Sequence, residues 1–236
     1  MDEQTLEESQ LPWKPTLPVF MQGPGKRYIL LSLSLLLVIL LYPYFLGSKI
    51  DTAIFTFLIS IVLIAATYAI ANSRRYAIAA ILLIVPSLLL QWTYFFYETR
   101  DLLLASRLAS LFVMVFVLLV LLRDVIRAKT PVPKNIIWGA IAVYLLLGMT
   151  WSTFYSIIEI LTPGSFAYTL NPEMILGASD FLYFSFVTIA TLGYGDIVPM
   201  TAQARSFAIL EAITGALYLA ILISKLVGME SSEQRK

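Results

Sequence analysis

The chain has 236 residues, of which 59% are hydrophobic and 13% charged, with 16 Lys and Arg against 15 Asp and Glu and a mean hydropathy of +0.84. That balance lies far from a soluble domain and describes an integral membrane protein. Neither cysteine nor histidine occurs, which excludes disulfides, thiolate and imidazole chemistry and the usual zinc sites, and a net charge of +1 gives no reason to expect a nucleic-acid partner.

Residues 1–27 read as a cytoplasmic tail. Acidic Asp2, Glu3, Glu7 and Glu8 precede LPWKPTLP, whose prolines disfavour regular structure, and the pattern of a secretory signal is not present. Apolar stretches long enough to cross a membrane then follow at 28–46, 52–71, 77–96, 102–122, 136–160 and 204–227, each near the roughly 20 residues that a hydrocarbon core requires. The expected fold is all-α, with six transmembrane helices. A shorter apolar run, 180–190, is too short to cross and reads as a re-entrant helix leading into TLGYGD, residues 191–196. The chain divides on this reading into the tail, a four-helix unit at 28–122, a linker at 123–135, a unit built round the re-entrant segment at 136–228, and a short tail at 229–236.

Basic residues alternate between loops. Lys26 and Arg27, Arg74 and Arg75, then Arg123, Arg127, Lys129 and Lys134, and finally Lys225, Arg235 and Lys236 fall on one side; the other side carries Lys49, and Arg100 offset by Glu98 and Asp101. By the positive-inside rule both termini are cytoplasmic, and TLGYGD enters from the outside and returns to it. The linker RDVIRAKTPVPK is expected to lie along the membrane surface until Pro131 and Pro133 end it, either coupling the two units or only setting topology. The fourth span carries Arg107 near its outer end and Arg123 and Arg127 near its inner end, with an uncharged interior. A voltage sensor needs several charges spaced along one helix, because each gains only about 2.3 kcal/mol per 100 mV. Little voltage dependence is therefore expected, with Arg107 as a snorkelling interfacial residue.

Non-helical backbone at membrane depth survives only when it is buried in protein or lines a water-filled path. Gly193 and Gly195 can take backbone angles closed to other residues, which lets successive carbonyls of TLGYGD point the same way. One chain supplies one side of such a ladder, and several copies round an axis would make rings of oxygen.

At this point TLGYGD resembles the selectivity filter of tetrameric potassium channels, in which valine usually stands where this chain has Leu192. Ala190 likewise replaces a threonine common just before that filter. The resemblance implies a potassium-selective channel rather than an enzyme. The carbonyls of Thr191, Leu192, Gly193 and Tyr194 would coordinate K+, the Thr191 hydroxyl would lie at the inner end, and Gly195 and Asp196 would form the outer mouth. It further implies that the re-entrant helix is a pore helix, capped by Ser179 or Asp180, and that Tyr194 braces against aromatics such as Tyr183 and Phe184, with Thr188 supporting the filter from behind. The assembly would be a homotetramer in the plasma membrane, with no cofactor beyond the permeant K+; the sequence names no regulatory ligand. A potassium transporter subunit or a weakly selective cation channel is the alternative. In the last span, Glu211 is a carboxylate where charge is costly. It is either structural glue bonded to Thr188 or Tyr155, or a proton- or ion-sensitive gating element. Gly215 is either a bending point or a close-packing contact.

Overall fold

In this computed structural model the described residues are 24–44, 49–71, 74–127 and 134–233. Most of the expected N-terminal tail, the middle of the linker with Lys129, Pro131 and Pro133, and residues 234–236 lie outside them. The described chain forms α1 (Pro24–Leu41), a 3-10 turn at Tyr42–Tyr44, α2 (Lys49–Ile70), α3 (Arg74–Tyr97), α4 (Arg100–Arg127), α5 (Lys134–Leu161), β1 (Phe166–Tyr168), α6 (Ala178–Ile189), β2 (Ile197–Pro199) and α7 (Ala202–Glu233). Six of these helices are long and apolar enough to cross a membrane, and α6 is not. The protein is an all-α, multi-pass membrane protein, in keeping with the reading from hydropathy.

Two features differ from that reading. Helix α4 does not end at residue 122 but runs on to Arg127, because RDVIR keeps the helical pattern. Val125 is buried, Arg123 hydrogen-bonds the Tyr76 hydroxyl, and Asp124 accepts from the Tyr28 hydroxyl at 3.4 Å. The first part of the expected surface linker is thus the last turn of a packed helix. The second difference is a small antiparallel pair, with Phe166 opposite Pro199, Ala167 opposite Val198 and Tyr168 opposite Ile197. It joins the segment before α6 to the segment after TLGYGD, a pairing of distant residues that no local periodicity announces.

One apolar core runs through α1, α2, α3, α4 and α5 and reaches Leu182 of α6. Helix α5 is its centre. Ala140, Ala142, Val143 and Leu146 are buried there, and the approach of α1 and α4 to α5 is so close that a Cβ at Gly139 would lie 3.3 Å from the Tyr28 ring and 3.4 Å from Val125. Ser32 Oγ of α1 also donates to Trp138 O of α5 at 3.0 Å. In lipid, where chains are as apolar as Leu, such small-residue packing and interhelical bonds hold helices together. The first four helices therefore share their core with α5.

A second cluster, rich in aromatics, gathers Tyr155, Phe166, Phe181, Phe184, Ile197 and Ala204 behind the pore helix. Helix α7 is different. Only 11% of its membrane-length stretch is buried, against 61% for α5, and Ile209, Leu210, Ile213, Leu217 and Ile221 are exposed along it.

Candidate functional site

The site is a short loop set on the end of a short helix. Helix α6 begins at Ala178 after the N-cap Gly177, and of the two expected capping side chains it is Asp180, at the third helical position, whose Oδ2 accepts from Gly177 N at 2.7 Å. Asp180 Oδ1 meanwhile accepts from the Tyr168 hydroxyl at 2.8 Å. Burial, followed by that bond and the nearby carboxylates, raises the Tyr168 pKa and keeps the hydroxyl a donor.

At its other end α6 turns into TLGYGD through three bonds. Thr191 N donates to Thr188 O at 2.9 Å, and Leu192 N and Gly193 N donate to Val187 O at 2.9 and 3.3 Å. Thr191, Gly193 and Gly195 have φ of +58°, +59° and +77°, while Leu192 and Tyr194 are not among the residues with positive φ. An alternation of left- and right-handed residues turns successive peptide units the same way, with N–H groups on one side and carbonyls on the other. Here the N–H side faces the pore helix. Two glycines take the left-handed conformation without penalty, but the β-branched Thr191 does not, and such a residue costs on the order of 1–3 kcal/mol.

Among the described residues, the carbonyls of Thr191, Leu192, Gly193 and Tyr194 accept no hydrogen bond, whereas Gly195 O accepts from Thr169 Oγ1 at 2.6 Å and Asp196 O from Thr169 N at 2.8 Å. The run of unengaged oxygens stops where the protein begins to use them. Asp196 is fixed further: its Oδ2 accepts from the Tyr183 hydroxyl at 2.6 Å and its Oδ1 from Ile197 N at 3.0 Å. Glu159, at the end of α5, accepts from Gly164 N at 2.7 Å and Phe166 N at 3.1 Å and pins the turn that leads into β1.

Several expected supports take other roles. Tyr183 reaches the loop through Asp196 and does not stack on Tyr194. Phe184 stands 5.2 Å from the Tyr155 ring and 5.3 Å from Phe166, inside the aromatic cluster. Tyr194 is 68% exposed in the single chain and makes no ring contact with either. Thr188 contributes its backbone carbonyl to the turn and does not bond Glu211. Glu211 is fully buried, and its Oε2 accepts from the Tyr155 hydroxyl at 2.6 Å while its Oε1 lies 2.5 Å from Ser185 Oγ. A Cβ at Gly215 would lie 2.5 Å from Ile189 O and 2.6 Å from Ile189 Cγ1, so α7 meets the end of the pore helix backbone to backbone. Gly148 of α5 makes a close approach on the other flank, but to a side chain: a Cβ there would lie 2.7 Å from the Phe186 ring.

Arg107 lines a mixed cavity of about 30 Å³ whose walls include Ser110, Ser152, Thr153, Ser156 and Ala178 together with apolar Phe55, Met114 and Leu182. Its surroundings thus include α5 and the start of the pore helix. Sequence reasoning missed Thr169, Ser185 and Gly148. Ser185 carried a visible signal, a hydroxyl amid the apolar run of the pore helix; Thr169 carried none, since its role depends on the β pairing.

Residues 135–231 match a family model described as an ion channel. Two pore potassium channel c of rice is 38% identical over 84 residues, 36% of this chain and 16% of that protein. Two-pore potassium channel 5 of Arabidopsis thaliana is 37% identical over 108 residues, 43% of this chain and 23% of that protein. A bacterial relative, the inward rectifier potassium channel Kirbac3.1 of Paramagnetospirillum magnetotacticum, is 31% identical over 105 residues, covering 43% of this chain and 30% of its own length. The chain spans less than a third of the length of these relatives. No solved structure matches the chain at the significance these sequences reach. The matched residues take in nearly all of α5, the whole of α6 and TLGYGD, and most of α7.

Proposed function

We propose that the chain is one subunit of a homotetrameric, potassium-selective channel that carries passive K+ flux. The observation that carries the reading is the run of four consecutive carbonyls, Thr191 to Tyr194, that accept nothing from the protein among the described residues and lie on a backbone whose φ alternates in sign. An unpartnered carbonyl at membrane depth costs several kcal/mol unless water or an ion satisfies it. Rings of such oxygens from symmetry-related chains replace the water shell of a dehydrated cation. The C-terminal end of α6 points its partial negative charge toward the same place, which favours a cation there. The exposed apolar face of α7 supports the assembly, since it has no partner within one chain.

In this reading Asp196 and Gly195 form the outer mouth, held by Tyr183 and Thr169, and the permeant ion is the only bound group required. The four-helix part, without a ladder of arginines, contributes little voltage sensing. The channel resides in the plasma membrane with both termini cytoplasmic, as the loop charges indicate. A transporter or a weakly selective cation channel is the rival. Current recording from the purified chain in bilayers, with potassium on one side and sodium on the other, separates them. The expected reversal potential lies near that of potassium and moves only with its gradient. A reversal near the sodium potential sinks the selectivity, and flux coupled to a second ion makes the protein a transporter.

A further inference from the structure

Three short oxygen–oxygen contacts converge at the rear of the pore helix. Ser185 Oγ lies 2.7 Å from Gly148 O and 2.5 Å from Glu211 Oε1, and Tyr155 Oη lies 2.6 Å from Glu211 Oε2. Each is a hydrogen-bond distance, and each needs a hydrogen between its two oxygens. Ser185 and Tyr155 have one hydroxyl hydrogen apiece, and a backbone carbonyl has none. Two hydrogens cannot fill three contacts. If Glu211 were a carboxylate, either Oγ and Oε1 or Oγ and the Gly148 carbonyl would face each other lone pair to lone pair.

We propose that Glu211 is held as a neutral carboxylic acid that donates from Oε1 to Ser185 Oγ, and that this proton locks the pore helix between α5 and α7. Ser185 then donates to Gly148 O, Tyr155 donates to Oε2, and every polar atom in the group is satisfied. The three residues sit on three different helices, α6, α7 and α5, and Glu211, Ser185 and Tyr155 are all fully buried. Glu211 is a positioning residue. It touches no permeating ion and acts on the filter through Ser185, four residues before the end of α6.

Among the described residues no cation is bonded to Glu211. On α5, Glu159 bonds Gly164 N and Phe166 N, and the Tyr144 hydroxyl approaches Ile189 O. On α6, Asp180 is taken by Gly177 N and the Tyr168 hydroxyl, and Tyr183 donates to Asp196. On α7 itself, Arg205 donates to Pro199 O, Tyr218 to Ala140 O, and Lys225 to the carbonyls of Val125 and Ile126. A charged Glu211 would stand in this apolar rear wall without a counter-ion, at the cost that burial imposes on any lone carboxylate.

The inference rests on the channel reading only for its consequence, so the test has two arms. Infrared difference spectra of the full chain in lipid vesicles, wild type against Glu211→Gln, decide the protonation state whether or not the protein conducts. The expected result at neutral pH is a carbonyl band of a protonated acid that the substitution removes; a difference showing only carboxylate bands overturns the proposal. The second arm measures potassium flux. Glu211→Gln, whose amide can donate to Ser185 and accept from Tyr155, is expected to retain it, while Glu211→Ala lowers potassium-over-sodium selectivity by about tenfold. Alkaline pH that strips the proton is expected to lower wild-type flux in parallel with loss of the acid band, and to leave Glu211→Gln unaffected. Ser185→Ala, which keeps the carboxyl group and removes its acceptor, is expected to shift that loss to lower pH. Wild-type selectivity in Glu211→Ala overturns the positioning role, as does an alkaline loss of flux that Glu211→Gln shares.

Discussion

The contact between Gly215 and Ile189 makes a sharp prediction for Gly215→Ala. A methyl at this position would begin 2.5 Å from the Ile189 carbonyl oxygen and 2.6 Å from Ile189 Cγ1, so α7 must retreat by about 0.9 Å to reach ordinary contact distance. The obstacle is backbone at the last residue of the pore helix, two positions before Thr191, and it cannot turn aside as a side chain can. Overpacking of this kind costs about 1–3 kcal/mol, while Gly to Ala in a helix interior returns about 1 kcal/mol of propensity. The net is about 0–2 kcal/mol against the native arrangement, up to roughly a thirtyfold shift toward displaced filters. Gly148→Ala meets only the Phe186 ring, at 2.7 Å, and that ring can rotate, so its effect is expected to be smaller. Thermal stability of the assembled protein, unitary conductance and potassium-over-sodium permeability for both variants check this. If Gly215→Ala is more stable than wild type, conducts and selects normally, and only opens more slowly, then Gly215 is a bending point and the packing argument is wrong.

Thr169→Val removes the hydroxyl bond to Gly195 O while keeping the backbone bond to Asp196 O, a loss of about 1 kcal/mol; the expected result is a less durable conducting state, seen as faster decline of current during sustained recording. Arg107→Gln is expected to leave the current–voltage relation unchanged, because one arginine cannot supply steep gating; steep voltage activation in the wild type that this change abolishes would refute it. Leu192→Val leaves the backbone that carries the proposed coordinating carbonyls intact and is expected to keep the wild-type reversal potential.

Much of this architecture could be read from hydropathy, because lipid requires long apolar runs and tolerates a glycine-broken loop only where protein or water shelters it. The short re-entrant helix followed from length, and residue type narrowed its cap to Ser179 or Asp180. What could not be read were contacts between distant residues. Thr169 meets Gly195 and Asp196 only because β1 pairs with β2, and nothing near Thr169 in the chain encodes that register. The positive φ of Thr191 was hidden for another reason: the glycines at 193 and 195 advertise the left-handed backbone, while a threonine argues against it. Glu211 was conspicuous as a charge among apolar residues, and Tyr155 was a legible partner; Ser185 was missed although its hydroxyl stands out in the apolar run of α6, because nothing in the sequence says which face of α6 meets α7. The division into a four-helix unit and a pore unit reflected loop composition, whereas the core shared by α1, α4 and α5 is set by small residues such as Gly139 and Ala140, whose packing partners a hydropathy plot does not reveal.

That shared core bears on how the first four helices could influence the pore. Lys225, near the inner end of α7 as the loop charges orient it, donates from Nζ to the carbonyls of Val125 at 2.6 Å and of Ile126, in the last turn of α4. Those carbonyls lack intrahelical partners at a helix C-terminus, where a cation is favoured. Each charge-assisted bond contributes about 1.5–3 kcal/mol, enough to bias where that end of α7 rests against α4. The apolar groove beside it, about 310 Å³ between α4, α5 and α7, leaves α7 room to swing once the tether is cut. Lys225→Met keeps the length and apolar stem and removes the donors, so it is expected to change open probability by about tenfold or more while leaving the reversal potential as it was. Selectivity would move only if the filter itself were disturbed, and Lys225 lies at the far end of α7 from it. An unchanged open probability would show that α4 and α7 touch here without exchanging free energy, leaving the connection between α4 and α5 as the route by which the first four helices reach the pore.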